Sequence, residues 1–293
     1  MLTNAIHWNA DPVLFHLGSF GLRWYSLGFL CAFLFSYLIL ARMYRREKVN
    51  VAYLDQLTIY VFVGVLAGAR LGHCLFYEPD YFLTAAHWFE IVWPFQHGHF
   101  TGFTGLASHG AAIGVLTALY LYWRRFKINV WWVVDRLVIV VALGGAFVRL
   151  GNLFNSEIYG TATTLPWGII FDRNGETVAK HPTQLYESLA YLIIFGVSLW
   201  RYRHTQGLFK SGTLFGWWLV ALFGVRFLIE FVKNDQVDFE AGMVLNMGQL
   251  LSLPFVAAGL IIALLGHKNH FPQGPFPNGE TYHFKDNQKK QKK

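Results

Sequence analysis

Arg149, Asn152, Asn155 and Glu157 follow a long apolar run at intervals of three, three and two residues. Residues three apart share a helix face, so a guanidinium and two carboxamides gather beside a carboxylate at one end of a hydrophobic segment. Arginine's planar fork suits bidentate binding of a phosphate. The carboxamides either cap the helix end or donate to a headgroup. Arg226 and Glu230, four apart, form either a neutralised pair that joins helices or a guanidinium offered to an anion. Arg70 is a third cation inside an apolar run. His109 stands in the small-residue stretch 106–114, where it is either a structural hydrogen-bonding group or a general base, because an ordinary imidazole titrates near neutral pH. Tyr25 either belongs to an interfacial aromatic belt or orients the polar groups. Gly151 and Gly160 suit tight turns or close approach of a ligand. In the stretch 181–187, Pro182 suits the first turn of a helix, and Tyr186 and Glu187 read first as structural.

No metal is expected. His97, His99 and His109 have no cysteine or carboxylate at ligand spacing, and Gly98, Gly102 and Gly105 intervene. Cys31 and Cys74 both lie in apolar runs and read as core packing, not as a disulfide or thiolate site.

The elements that must position these groups follow from composition. The chain has 293 residues, 54% apolar and only 14% charged, whereas about a quarter of a soluble domain carries charge. With 11 Trp, 14 Tyr and 27 Phe, it reads as an all-α polytopic membrane protein. The net charge of +7 lies in short basic clusters between apolar runs. That is a topology signal, and nucleic acid is not an expected partner. Seven spans of about 20 residues are expected at 25–41, 55–76, 105–123, 131–150, 184–202, 212–232 and 247–266.

Charge around the first span argues for an uncleaved segment with its amino end outside, because Arg42, Arg45, Arg46 and Lys48 follow it and no basic region precedes it. Threaded so, sixteen of the 24 Lys and Arg fall inside, and only Arg173, Lys180 and Lys233 outside. Residues 81–95 read as an aromatic arm on the outer surface. Residues 161–182 read as a long outer loop with a turn at Asp172–Gly175. The domain expected is one membrane unit, 1–266, with a disordered basic cytoplasmic tail, 267–293.

The threading also assigns depth. Tyr25, Arg70, His109, Arg149, Asn152, Glu157, Gly160, Arg226 and Glu230 all fall toward the outer side, whereas the inner half holds little beyond Asp135 and Arg136. A relay across the membrane needs polar steps throughout, so a transporter fits poorly, and a site open to the outer leaflet fits well. At that depth the available phosphate is a lipid headgroup.

Taken together, the motifs resemble the prolipoprotein diacylglyceryl transferase family. The resemblance rests on Arg149-Leu-Gly-Asn152-Leu-Phe-Asn155-Ser-Glu157-Ile-Tyr-Gly160, on Arg23-Trp24-Tyr25, Gly68-Ala69-Arg70-Leu71-Gly72, Ser108-His109-Gly110, the stretch from His181 to Glu187, Arg226-Phe-Leu-Ile-Glu230 and Met247-Gly248-Gln249. It covers roughly 25–254. It implies seven helices in the bacterial inner membrane, no cofactor, and phosphatidylglycerol and a prolipoprotein with a lipobox cysteine as partners. The expected form is a monomer among membrane lipids. Under that resemblance His109, Arg149 and Arg226 are the catalytic candidates, and Tyr25, Arg70, Asn152, Glu157, Gly160 and Glu230 the substrate-binding ones. Three positions depart from it. Ala111 and Ser156 stand where the family often has glycine, and Leu222 stands where some members carry tyrosine.

Overall fold

The computed structural model describes residues 6–17, 20–84, 87–93, 95, 96, 99, 100, 105–234, 243–277 and 279. Helix dominates them. Seven long helices lie among these residues: α1 (Trp24–Arg46), α2 (Val51–Phe76), α4 (Ser108–Phe126), α5 (Val130–Phe154), α6 (Thr183–His204), α7 (Thr213–Ile229) and α8 (Met247–His267), with a one-turn α3 (Pro79–Phe82) between α2 and α4. Each overlaps an expected span. Five segments are long and apolar enough to cross a membrane, namely α1, α2, α5, Thr213–Val232 and α8. The polar content of α6 separates it from that set, with Thr183, Gln184, Glu187 and Ser188 buried along it. α4 is shorter and carries Arg124 and Arg125 in its last turn.

Small strands, which periodicity did not reveal, complete the fold. β1 (Ile6–Trp8) pairs in parallel with β6 (Ile169–Phe171), β2 (Val13–Leu17) forms a hairpin with β3 (Phe20–Arg23), and β4 (Phe95–Gln96) pairs with β5 (His99–Phe100). His97 lies outside the described residues. The expected turn in the long loop is a 3-10 turn, Asp172–Asn174, closed by Gly175 at φ +70.

The chain divides into two compact units, residues 1–43 with 131–273 and residues 44–130 with 274–293. In the first unit, α5 is the most deeply buried helix. Its Asp135 carboxylate accepts the backbone N–H groups of Gly212 (2.7 Å) and Phe215 (2.8 Å), which closes the amino end of α7 and meets its helix dipole. Arg136 donates to the Trp132 and Gly207 carbonyls and lies over the Trp132 and Phe209 rings. This pair is therefore structural. Phe271 stacks on Trp131 at 3.9 Å, so the stretch after α8 begins in contact with the fold.

In the second unit, α2 and α4 touch through glycine. A Cβ on Gly68 would stand 2.9 Å from Gly114 Cα, and one on Gly72 would stand 2.8 Å from Gly110 Cα. Such backbone contact is how membrane helices pack tightly without side chains between them. A groove of about 540 Å³ runs along the flank of this pair, lined by Val63, Leu71, Ile113 and their neighbours.

Candidate functional site

In the first unit, the ends of α5, α6 and α7 bring five charged side chains into one chain of contacts. Arg149, in the last turns of α5, pairs through Nε with Glu187 Oε2 of α6. Glu187 Oε1 lies 3.4 Å from Lys233 Nζ, and that Nζ lies 3.0 Å from Glu230 Oε1. Glu230 opens the 3-10 turn Glu230–Val232 that continues α7. Arg226, one helical turn earlier, closes the chain with Nη2 at 3.6 Å from the same carboxylate. The order of charges is therefore Arg149, Glu187, Lys233, Glu230, Arg226. Each burial would be costly alone and is compensated by its neighbours.

Polar partners fix the ends. Arg149 Nη1 donates to Asn152 Oδ1 (3.2 Å), and Asn152 Nδ2 donates to Glu157 Oε1 (2.7 Å), which also accepts from Asn155 Nδ2 (3.2 Å). Neither carboxamide acts as a simple helix cap. Both brace Glu157, and Asn152 couples it to Arg149. Gln184 Nε2 donates to the Glu157 carbonyl (2.7 Å) and holds that turn on α6. The turn itself is unusual, with Ser156 at φ +56 and Ile158 at φ +61. Left-handed backbone is uncommon for any residue but glycine and costliest for a β-branched one such as Ile158, so a glycine at position 156 would adopt this turn without that cost. At the far end, Asn246 Nδ2 donates to Glu230 Oε2 (3.3 Å). Asn246 also forms a reciprocal cap with Gln249 at the start of α8.

Two sequence candidates act through close approach. Tyr25 packs on Gly151, where no side chain fits, and its hydroxyl feels the charges of Glu157 and Arg149. Gly160 lies against the Val232 carbonyl, pairs with Lys233 in an antiparallel bridge and donates its N–H to the His181 carbonyl at 2.8 Å. Its bare backbone lets the loop lie down on the segment that carries Lys233. Tyr191, packed on Gly145, feels Glu187, Arg149 and Arg226 together.

Beyond this network the long loop has its own polar cluster. Tyr159 stacks on Phe171 and donates to Glu176 Oε1 (2.7 Å), whose Oε2 lies 3.2 Å from Lys180 Nζ. These contacts, that of Tyr159 foremost, hold the Glu176 carboxyl below its usual range.

The remaining two sequence candidates belong to the second unit. Arg70 donates to the carbonyls of Glu90 (2.7 Å) and Ile91 (3.2 Å) and lies over the Phe82 ring at 4.6 Å. It anchors the segment after α3, where Glu90 also accepts from Tyr81 (3.0 Å) and contacts His87 (2.9 Å). The Glu90 bond raises the Tyr81 phenol. His109 sits in the first turn of α4, is exposed and makes no hydrogen bond to a described residue.

Sequence reasoning missed Lys233, and it read Glu187 first as structural. A lysine just past an apolar run looks like one more topology charge. The signal that could have found it is its spacing, three residues after Glu230 and seven after Arg226, which would share a face if the helix continued, although Lys233 itself lies just past the 3-10 turn in extended backbone.

Comparison with known proteins bears on this arrangement. A sequence profile described as prolipoprotein diacylglyceryl transferase matches residues 12–265. Among curated proteins, a phosphatidylglycerol–prolipoprotein diacylglyceryl transferase of Tolumonas auensis is 44% identical over 264 residues, covering 90% of this chain and 98% of its own. One of Bacteroides fragilis is 42% identical over 261 residues, covering 87% and 93%. Another, of Wolbachia pipientis, is 33% identical over 261 residues, covering 87% and 94%.

Proposed function

The chain belongs to the prolipoprotein diacylglyceryl transferase family, and on that premise we propose that it moves the diacylglyceryl group of phosphatidylglycerol onto the lipobox cysteine of a prolipoprotein. The thiol sulfur attacks the glyceryl carbon that bears the phosphate. A carbon–sulfur bond forms, the carbon–oxygen bond to phosphate breaks, and glycerol phosphate leaves. This is the first step of lipoprotein maturation, and it calls on no cofactor.

The observation that carries the reading is the charge network of Arg149, Glu187, Lys233, Glu230 and Arg226. Arg149 and Arg226 bind the phosphate and stabilise charge on the leaving group. Arg226 is suited to this, because its side chain is 34% exposed and Glu230 stands beyond hydrogen-bond distance from it. A cysteine thiol, with an ordinary pKa of about 8.5, needs help to ionise. His109 takes its proton, and nearby cations favour the thiolate. Asn152 and Glu157 orient Arg149, Tyr25 packs beside them, and Gly160 and Glu230 hold the Lys233 segment. Arg70 acts through the segment it anchors, the arm that guides the incoming signal peptide.

The proposed setting is the bacterial inner membrane, crossed seven times by a monomer with its amino end and site on the outer side. The 19 residues of α4 and 22 of α6 support two crossings beyond the five apolar ones. The test is direct. Purified protein incubated with phosphatidylglycerol and a lipobox peptide gains diacylglyceryl mass on the peptide cysteine. A peptide that stays unmodified while the lipid is intact and the protein folded overturns the reading.

A further inference from the structure

The network contains one more cation than pairing requires. Glu187 has Arg149, and Glu230 has Arg226, so two cations and two carboxylates already balance. Lys233 is added between them with its side chain 1% exposed. A buried ammonium is unfavourable unless compensated, and here both carboxylates that compensate it are shared with arginines. Among the described residues, three cations and two carboxylates leave one net positive charge within the network. Glu157, the other carboxylate near Arg149, keeps its charge but is exposed, so water screens it, and Arg149 reaches it only through the Asn152 amide. At the start of α8, the described residues against Glu230, Asn246 and Gly248, are uncharged.

We propose that Lys233 is the positioning residue that makes this network an anion site. Glu187 remains paired with Arg149, but at the other end Lys233 holds Glu230 at 3.0 Å while Arg226 stands 3.6 Å from the same oxygen, so that carboxylate does not consume the arginine. The net unit of positive charge it leaves matches the single negative charge of a phosphodiester. This rests on the arginine–phosphate reading above. The backbone supports the assignment, because Lys233 is pinned by its bridge to Gly160 and by the Thr161 N–H donating to the Val232 carbonyl at 2.9 Å. The lysine is thus held in place from the loop as well as from α7. A lysine serving only topology would lie in solvent.

The test compares purified full-length Lys233→Met, Lys233→Arg and Lys233→Met/Glu230→Gln, reading kcat and KM for phosphatidylglycerol with a lipobox peptide, and thermal unfolding in parallel. Lys233→Met is expected to lower kcat/KM for the lipid about 100-fold or more. Lys233→Arg, which keeps the charge, is expected to stay within about tenfold of the unmodified protein. The double variant removes one cation and one carboxylate, restores the net charge and is expected to recover at least tenfold over the single variant. Wild-type kcat/KM in folded Lys233→Met overturns the proposal, as does a folded double variant no more active than the single one. Should Lys233→Met fail to fold, the double variant decides alone: activity within about tenfold of wild type upholds the proposal, and activity below about 1% overturns it. Arg226→Ala, measured alongside, separates the two levels. Loss there with normal Lys233→Met removes only the role of Lys233, whereas full activity in Arg226→Ala removes the phosphate reading beneath it.

Discussion

Between α2 and α4 the helices touch through bare backbone, whereas α5, α6 and the turn after α7 are joined through buried charge. Glycine contact is a steric solution. It costs no desolvation, tolerates no added atom and leaves a groove lined by apolar side chains. Charge contact is dear in a membrane, with roughly 2.5–3.5 kcal/mol needed to insert each ionised group on insertion scales. A chain that already packs helices by the cheaper route elsewhere gains little stability from five charges. The difference sets a seam that needs only shape against a network whose cost, on the reading proposed above, is offset by what its arginines bind.

The contrast can be broken at either side. The broadest effect is expected at the seam, because it falls on folding and not on one step of the chemistry. Gly68→Val places atoms against the Gly114 backbone, and overpacking of this kind costs about 1–3 kcal/mol even where side chains can shift. Folded protein in detergent, measured by size-exclusion chromatography and thermal unfolding, should fall sharply, and transfer should fall only in proportion. His109→Gln tests chemistry carried by the seam helix α4 without touching the seam. As a base it contributes on the order of 100-fold or more. The variant should be slower, and its pH–rate profile should differ from that of the wild type. An unchanged rate and profile would remove the base.

Within the network side, Asn152→Ala breaks the link between Arg149 and Glu157. Hydrogen bonds to charged groups contribute about 1.5–3 kcal/mol, so a loss of roughly tenfold in kcat/KM with the fold intact is expected. The smallest effect lies in the loop. Because Tyr159 and Lys180 lower the Glu176 carboxyl, its contribution is fully present above the ordinary carboxylate range of about 4.3. It is lost as pH falls through the lowered folded value. Hydrogen exchange of residues 160–180, corrected for intrinsic pH dependence, should quicken below about pH 4, and Glu176→Gln should abolish that change.

Much of this was legible in the residues. Apolar runs gave the long helices because a membrane span must satisfy its own backbone. The spacing of Arg149, Asn152 and Glu157 gave their mutual contacts, since they lie on one helix end and its exit turn. What stayed hidden was long-range or ambiguous. The β1–β6 pairing joins three-residue strands far apart in sequence, too short for periodicity to register. Lys233 carries the same local signature as Arg173 or Lys180, and only the folding of the loop over it separates a buried hub from a surface charge. Arg70 stands out in the sequence as a cation in an apolar run, but its bonds to the Glu90 and Ile91 carbonyls leave no trace in side-chain patterns.

The central claim is that intramembrane arginine holds the lipid phosphate, and Arg226→Ala tests it most directly. In purified, folded protein, the rate of diacylglyceryl transfer from phosphatidylglycerol to a lipobox peptide should drop about 100-fold or more, as when a donor to a developing anion is removed, which corresponds to about 2.7 kcal/mol of transition-state stabilisation. Transfer at the full wild-type rate would contradict the account.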